Sequence, residues 1–243
     1  MVALVTGAGR RLGRRIALSL ATVGFDIVVH YQTSEQGAQE TSILVEQLGR
    51  KVLPLRADIG SLNDVESLVE KSWNSFRQLD VLVNNAGVFS RSSWESLDVG
   101  LWQRMIQTNL TGTFLMSQAV ARRMKLVGRG RIINIASIGG LQAWPQHIPY
   151  SVSKSGVIAL TKVFARALAP DIVVNAIAPG TVILEGEEDP KVAHIPTDRI
   201  PLGRYGTPKD IMDAVVFLAT GARYVTGQVF ALDGGRSLDL LTT

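Results

Sequence analysis

Residues 2–20 read VALVTGAGRRLGRRIALSL, and this stretch decides the fold. A short β-branched run, Val2–Thr6, is followed by a glycine-rich turn and then by an apolar pattern with helical spacing. Glycines between a strand and a helix let the backbone come close to a phosphate, and the first N–H groups of the helix bind it. Because the turn also carries Arg10 and Arg11, we expect an anion beside it.

The alternation of strand and helix continues along the chain. Short β-rich runs are predicted at 2–6, 26–30, 51–56, 80–84, 131–136, 172–178 and 229–233, and helices over 11–23, 36–48, 62–76, 101–126, 150–168 and 208–220. Near-continuous Val/Ile/Leu strands alternating with helices predict a parallel sheet covered on both faces. No linker or repeat divides the chain. The irregular stretch 180–207, with the acidic run Glu185–Asp189, is predicted to be a substrate-binding loop or lid.

Composition excludes several classes of protein. The chain has 243 residues, is 46% hydrophobic and contains no cysteine, which excludes disulfides and thiolate chemistry. No apolar window approaches about 18 residues, so no membrane partner is expected, and because Met1 runs directly into the first predicted strand, no targeting peptide is expected either. These features favour a cytoplasmic protein. The histidines His30, His147 and His194 lack ligand spacing, so no metal site is predicted.

The net charge of +4 raises the question of nucleic acid. Its densest cluster surrounds the glycine turn, at Arg10, Arg11, Arg14 and Arg15. No recognition-helix, zinc-finger or RNA-binding signature accompanies it. We therefore predict no nucleic-acid partner.

Unusual residues follow six successive strands of the predicted sheet. They are TGAGRRLG after the first, HYQTS after the second, Ala57-Asp58 after the third, Asn84-Asn85-Ala86-Gly87 after the fourth, Ser137 after the fifth and Pro179-Gly180 after the sixth. Ligands of open parallel sheets bind at the carboxyl ends of the strands. The pattern predicts one large ligand across this edge, and a dinucleotide has that shape.

The ordered set of motifs resembles the short-chain dehydrogenase/reductase family over nearly the whole chain. The matching segments are TGAGRRLG at 6–13, NNAG at 84–87, Ser137, YSVSK at 150–154, Pro179-Gly180 and LDGG at 232–235. The resemblance implies a single α/β domain over 1–243, with a Rossmann-type, doubly wound sheet of seven parallel strands and helices on both faces. It also implies NAD or NADP as cofactor, a small-molecule substrate, and a homotetramer or homodimer.

The residues after the second strand favour NADP(H) over NAD(H). NAD sites place Asp or Glu there to bind the ribose 2′-OH, whereas this chain has His30-Tyr31-Gln32-Thr33-Ser34. Without a carboxylate to repel it, a 2′-phosphate fits, and Arg11 can pair with it in a fork. Arg10, His30, Thr33 and Ser34 are candidate helpers, while Arg14 and Arg15 are interpreted as solvated helix charges.

The resemblance extends the cofactor site along the sheet. It implies that Asp58 accepts from the adenine amino group, with Ile59 against the ring. It places the adenosine ribose at Asn85, Ala86 and Gly87, and the nicotinamide at Pro179, Gly180, Thr181 and Val182. The complete predicted cofactor set adds Gly7, Arg10, Arg11, Leu12, Gly13, His30, Tyr31, Thr33, Ser34, Tyr150 and Lys154.

Tyr150 and Lys154 lie four residues apart, which puts them on one face of a helix. A tyrosine near pKa 10 is a weak acid–base group at neutral pH, and a nearby ammonium lowers that pKa. By resemblance, Tyr150 donates the proton, Ser137 hydrogen-bonds the carbonyl oxygen, and Lys154 binds the nicotinamide ribose. Asn109, the family's fourth catalytic member, would hold a water that connects Lys154 to solvent.

The substrate stays open between two branches of the family. Ser137 and Gly87 resemble 3-oxoacyl-acyl-carrier-protein reductases and ketoreductases, which act on carbonyls. Arg11, His30-Tyr31 and Phe89 resemble pteridine reductases, in which an aromatic ring stacks on the pterin; Phe89 could equally be a core or pocket-wall residue. His147, near Tyr150, is a weaker candidate for the substrate pocket. A non-catalytic NADP(H)-binding sensor is a remote alternative, because such relatives tend to lose the tyrosine or lysine.

Overall fold

The computed structural model describes residues 1–184 and 196–238, and its centre is a parallel sheet. Its strands are β1 (Val2–Val5), β2 (Asp26–Tyr31), β3 (Val52–Arg56), β4 (Val81–Asn84), β5 (Gly130–Ile135), β6 (Ile172–Pro179) and β7 (Val229–Leu232). They pair in the order β3-β2-β1-β4-β5-β6-β7, which gives seven strands. The order reverses between β1 and β4, so a crevice opens there at the carboxyl edge.

Helices cover both faces of the sheet. They are α1 (Arg11–Thr22), α2 (Glu35–Gln47), α3 (Leu62–Phe76), α4 (Val99–Ile106), α5 (Gly112–Leu126), α6 (Ile148–Leu168) and α7 (Pro208–Val216). Their bounds agree with the predicted helices to within about two residues, apart from two places where π-helical turns interrupt or extend the pattern. These are Gln107–Thr111, which joins α4 to α5, and Phe217–Gly221, which continues α7.

Alternation along the strands explains why each face of the sheet has its own large apolar cluster. In β1, Ala3 and Val5 face one buried cluster, which holds apolar residues of α1, α2 and α7. Val2 and Leu4 face the opposite cluster, which holds residues of α3, α5 and α6. Successive side chains of a strand point to opposite faces, so a strand buried on both sides must be apolar throughout. The predicted doubly wound sheet is therefore confirmed.

The segment after β6 is described only in part. Val182 forms an isolated bridge with Gly206, and Thr197–Arg199 form a single 3-10 turn. The acidic run 185–189 and His194 lie outside the described residues. The interpretation of 180–207 as a lid stays a prediction. Within the described residues, no helix is long and apolar enough to cross a membrane.

Candidate active site

A cavity of about 950 Å³ lies at the carboxyl edge of the sheet. It extends from the glycine turn, past the ends of β4 and β5, to the turn after β6. Of the predicted site residues, it brings together Arg11, Leu12, Asn85, Gly87, Phe89, Ser137, His147, Tyr150, Lys154, Pro179, Gly180, Thr181 and Val182. The other predicted residues lie outside its lining.

The glycine turn is packed too tightly for side chains. Gly7 has a φ of +66°, which favours glycine. A Cβ on Gly13 would lie 2.1 Å from the Gly7 carbonyl oxygen and 2.6 Å from Asn85 Nδ2. Asn85 Nδ2 also donates to the Thr6 carbonyl at 2.9 Å, and the Thr6 hydroxyl accepts from the backbone of Asn85 and Ala86. The turn and the end of β4 therefore form one rigid cradle, which fits a dinucleotide phosphate at the start of α1.

His30 is a structural part of this cradle. Its Nδ1 accepts from the Gly7 N–H at 3.1 Å, and its Nε2 contacts the Ala57 carbonyl at 3.1 Å and so must carry the proton. The side chain is buried, and burial lowers its pKa. Both ring nitrogens are thus used by backbone groups, which leaves neither for a 2′-phosphate. The expectation that His30 helps bind the phosphate directly is replaced by a positioning role.

The arginines of the turn have different environments. Arg11 is exposed, lines the cavity and has a φ of +51°, a left-handed conformation that costs a non-glycine residue energy. Arg10 is exposed in an extended conformation just before α1. Arg14 is not a solvated charge: it donates to Thr41, to the carbonyls of Gly9 and Gly37, and to Glu40 at 2.7 Å. Arg14 therefore clamps α2 onto the turn.

The residues after β2 and β3 are arranged around the same end of the sheet. Thr33 is exposed and Ser34, which precedes α2, is half-buried, as is Tyr31 at the end of β2. Asp58 is exposed and accepts from the Gly60 N–H at 2.8 Å in an Asx turn. Ile59 is buried, and a Cβ on Gly112 would lie 2.8 Å from its side chain. Asp58 is thus available to a ligand, whereas Ile59 is held in the core.

Ser137, Tyr150 and Lys154 meet where β5 ends and α6 begins. The Lys154 Nζ donates to the Ile135 carbonyl at 2.7 Å and lies 5.9 Å from the centroid of the Tyr150 ring. The Ser137 hydroxyl accepts from the Gly139 N–H at 3.0 Å, which leaves its own proton to donate. The three side chains line the same cavity.

The pKa of Tyr150 is shifted in the opposite direction to the one expected from a nearby ammonium. Burial raises the pKa of Tyr150, and the opposing interaction with the Ser137 hydroxyl is the smaller influence. Burial also lowers the pKa of Lys154 to about 8. Burial is the largest influence on Tyr150 and therefore decides the direction of its pKa shift. Tyr150 therefore holds its proton at neutral pH, as a proton donor requires.

Asn109 lies in the π-helical turn between α4 and α5. Its Oδ1 accepts from the Val88 N–H at 2.8 Å, and its Nδ2 donates to the Val88 carbonyl at 2.9 Å and to Ser153 at 3.1 Å. The side chain thus ties the loop after β4 to α6. Gly87 lies beside it, because a Cβ there would be 3.2 Å from Asn109 Oδ1 and 3.7 Å from Lys154 Nζ.

An aromatic wall stands beside the proton donor. Phe89 is 59% exposed, stacks on His147 at 4.6 Å and meets the edge of Tyr150 at 4.7 Å. His147 Nδ1 donates to the Ser90 carbonyl oxygen at 2.9 Å. This exposure excludes a place in the core for Phe89 and leaves two interpretations, a pocket-wall residue or a ring that stacks on a pterin. Trp144 lies beyond, 6.3 Å from Tyr150 and nearly parallel to it.

Trp144, Arg91 and Arg236 line the cavity but were not predicted as site residues. Arg236 stands in the tail 233–238, and Trp144 stands between Ser137 and Tyr150, so each lies next to a motif. Neither Trp144 nor Arg236 is one of the residues that define those motifs. Only the folded chain brings Arg236 over the Trp144 ring, at 5.8 Å. Within the described residues, no group of three or more His, Asp or Glu is arranged to hold a metal ion.

Comparisons with known proteins identify relatives over nearly the whole chain. Residues 7–237 match the family model described as Enoyl-(Acyl carrier protein) reductase. The 3-oxoacyl-[acyl-carrier-protein] reductase of Synechocystis sp. is 39% identical over 237 residues, which cover 96% of each chain.

Two solved structures are similar over their whole length. Acetoin dehydrogenase from Enterobacter cloacae has a TM-score of 0.90 at 34% identity, covering 100% of this chain and 97% of the other. A gluconate 5-dehydrogenase from Burkholderia cenocepacia in complex with NADP and tartrate has a TM-score of 0.91 at 31% identity, covering 98% and 95%. This chain, an oxidoreductase by its relatives and its site, belongs to the short-chain dehydrogenase/reductase family.

Proposed function

We propose that this protein is an NADPH-dependent reductase of a small carbonyl compound, of the 3-oxoacyl-acyl-carrier-protein reductase or ketoreductase type. The observation that carries the proposal is the meeting of Ser137, Tyr150 and Lys154 at one end of a cavity that also reaches the glycine turn. Ser137 stands at the end of β5, where a carbonyl oxygen can be held by its hydroxyl. Curated relatives named 3-oxoacyl-[acyl-carrier-protein] reductase support this substrate chemistry.

Each side chain of the site has its own role in the proposed reduction. NADPH, when bound, supplies the hydride to the carbonyl carbon. The π electrons of the C=O bond move to the carbonyl oxygen, and the Tyr150 hydroxyl donates its proton to that oxygen. The Ser137 hydroxyl stabilises the charge that develops on that oxygen. Lys154, anchored on the Ile135 carbonyl, keeps donors for the cofactor ribose, and Asn109 fixes the loop that borders it.

The choice of NADPH rests on the residues around the turn. No carboxylate occurs in 30–34, and Arg11 lines the cavity. Arg11, Arg10, Thr33 and Ser34 are the proposed contacts of the 2′-phosphate, and His30 acts by holding Gly7. A neighbouring structure named for its complex with NADP is consistent with this choice. We further propose a cytoplasmic homotetramer or homodimer.

A pterin is the second candidate substrate. The exposed ring of Phe89, 4.7 Å from Tyr150, offers a planar ligand a surface to stack on. Ser137 favours a carbonyl over a ring C=N bond, which is why the carbonyl stands first. A sensor without catalysis is disfavoured because Tyr150 and Lys154 are both present and line one cavity.

The test is the loss of NADPH absorbance with purified protein and two substrates, an acetoacetyl thioester and dihydrobiopterin. NADH serves as the parallel cofactor and Tyr150→Phe as the matched blank. Reduction of the thioester supports the first candidate, and reduction of the pterin alone supports the second. Binding of NADPH without reduction of these or of small ketones would support the sensor.

A further inference from the structure

Arg236 introduces a partly buried cation into the substrate side of the cavity. Its guanidinium donates to the Thr181 hydroxyl at 2.9 Å and lies 5.8 Å above the Trp144 ring. Its backbone carbonyl accepts from Gln142 Nε2 at 3.2 Å, so the residue is fixed at both ends. A side chain held in this way loses little entropy when it binds a ligand.

The charge of Arg236 is not balanced by an ion pair within residues 1–184 and 196–238. The adjacent carboxylate of Asp233 favours the charge, but its two oxygens accept from the backbone N–H groups of Gly235 and Ser237. Arg199 opposes the charge, and burial lowers the pKa of the guanidinium. A cation that is partly shielded from water and has no close counter-ion among these residues is favoured by an anionic ligand.

Trp144 connects this cation to the reacting end of the site. Its ring lies 6.3 Å from Tyr150 on one side and 5.8 Å from the Arg236 guanidinium on the other. Among the described residues that line the cavity there is no Asp or Glu, while Arg91 lines it together with Arg236. A substrate whose carbonyl meets Tyr150 would thus place its far end beside arginine.

We propose that Arg236 is a specificity-determining residue that binds a carboxylate, so that the substrate is an oxo acid with a carbonyl at Tyr150 and an anionic end beyond Trp144. The guanidinium has five N–H donors in a planar fork, which matches a carboxylate. The proposal rests on the proposed carbonyl-reductase function. It narrows that function to small anionic oxo compounds.

The test compares acids with their neutral methyl esters: 2-oxopropanoate, 4-oxopentanoate and 4-acetylbenzoate, each with its ester. The measured quantity is the ratio of kcat/KM for acid over ester, with saturating NADPH. The wild type should prefer the acid in at least one pair. Arg236→Gln should lower that preference about 10–100-fold, the usual effect of losing a charge-assisted fork. Arg236→Lys should keep part of it.

Two controls distinguish a carboxylate contact of Arg236 from a general charge effect and from a loss of cofactor binding. Arg166→Gln removes an equal charge from an exposed position on α6 and should leave the ratio unchanged. The NADPH dissociation constant of Arg236→Gln, measured by fluorescence, should remain within about threefold of the wild type, which also shows that the variant folds. An unchanged acid-to-ester ratio, or weakened NADPH binding alone, would overturn the proposal.

Failure of the proposed carbonyl-reductase function can be distinguished from failure of the anion site at Arg236. If the wild type reduces none of the six compounds, the anion site is tested by calorimetry, with 4-acetylbenzoate and its ester titrated into the enzyme loaded with NADP⁺. Tighter binding of the acid that disappears in Arg236→Gln supports the anion site even though reduction fails. Equal binding of acid and ester contradicts it. Esters reduced as well as acids would leave the reductase function intact and refute only the role of Arg236.

Discussion

The Nζ atom of Lys154 lies 5.9 Å from the centroid of the Tyr150 ring and donates to the Ile135 carbonyl at 2.7 Å. Lys154 is buried and Tyr150 is half-buried, and loss of solvent favours the neutral form of each side chain. Burial raises the pKa of Tyr150 and lowers the pKa of Lys154 to about 8. Tyr150 thus keeps its proton across the neutral range, while Lys154 loses its charge in mildly alkaline solution.

We expect kcat/KM for carbonyl reduction to fall as the pH rises through about 8, because Lys154 then changes from ammonium to amine. Lys154→Arg should move this fall to higher pH, since a guanidinium stays charged. The measurement is a pH–rate profile of both proteins with one substrate. A profile that is flat through pH 8 in the wild type would show that the charge of Lys154 is not needed.

Tyr150→Phe should lower kcat at least about 100-fold, the usual contribution of a general acid. The phenyl ring keeps the packing against Phe89 and Trp144, so NADPH binding and stability should change little. Stopped assays for turnover and fluorescence titration for NADPH separate the two effects. Ser137→Ala is the comparison variant, expected to lose less than the tyrosine variant. Substantial activity in Tyr150→Phe would mean that another group donates the proton.

Arg11→Ala should weaken NADPH binding about tenfold or more while changing NADH binding little, because the charge-assisted bond to the 2′-phosphate is lost. Arg11→Gly should weaken NADPH equally but be about 1 kcal/mol more stable than Arg11→Ala, since the φ of +51° suits glycine. Dissociation constants and urea unfolding give the two readouts. Arg15→Ala is the matched control on the same helix. Equal losses for both cofactors would refute the contact with the 2′-phosphate.

Gly13→Ala should disrupt the cradle, because its Cβ would lie 2.1 Å from the Gly7 carbonyl oxygen, a backbone atom that cannot rotate away. We expect a loss of about 1–3 kcal/mol in unfolding free energy and weaker binding of NADPH. Gly221→Ala is the control, since its nearest neighbour is the Phe217 ring at 3.2 Å, which can shift. A Gly13→Ala protein with wild-type stability and cofactor affinity would contradict the rigid cradle.

The fold could be predicted from sequence because its determinants are local. Val2–Val5 is apolar on every residue and α1 is apolar on one stripe, so each element reveals its burial without its neighbours. The start of α7 carries a capping box of Thr207 and Asp210, which is also a local signal. Local patterns therefore sufficed for the positions of the strands and helices and for the edge that carries the cavity, whereas the strand order comes from the structure.

Other features depend on contacts between distant segments. The π-helical turn at Gln107–Thr111 contains Asn109, whose bonds to Val88 and Ser153 are tertiary and leave no helical pattern to recognise. Arg236 reaches Trp144 from 92 positions away in the chain. The direction of the Tyr150 pKa likewise follows from burial, which residue spacing does not reveal.

The buried, neutral ring of His30 joins the Gly7 N–H to the Ala57 carbonyl, so the stability of this contact should depend on pH. Burial lowers its pKa below the ordinary 6.5, whereas in the unfolded chain it titrates near that value, so below about pH 6.5 the unfolded state binds more protons. The unfolding free energy should therefore decrease as the pH falls from about 6.5, even though the Asp58 carboxylate partly favours the charged ring. A protonated Nδ1 can no longer accept from the Gly7 N–H, so NADPH affinity should fall in the same pH range.

The variant His30→Gln does not titrate. It should lower the free energy of unfolding by about 1–2 kcal/mol at pH 8 and show a flatter pH dependence of urea unfolding. A variant whose unfolding keeps the wild-type slope would place the acid sensitivity elsewhere in the protein.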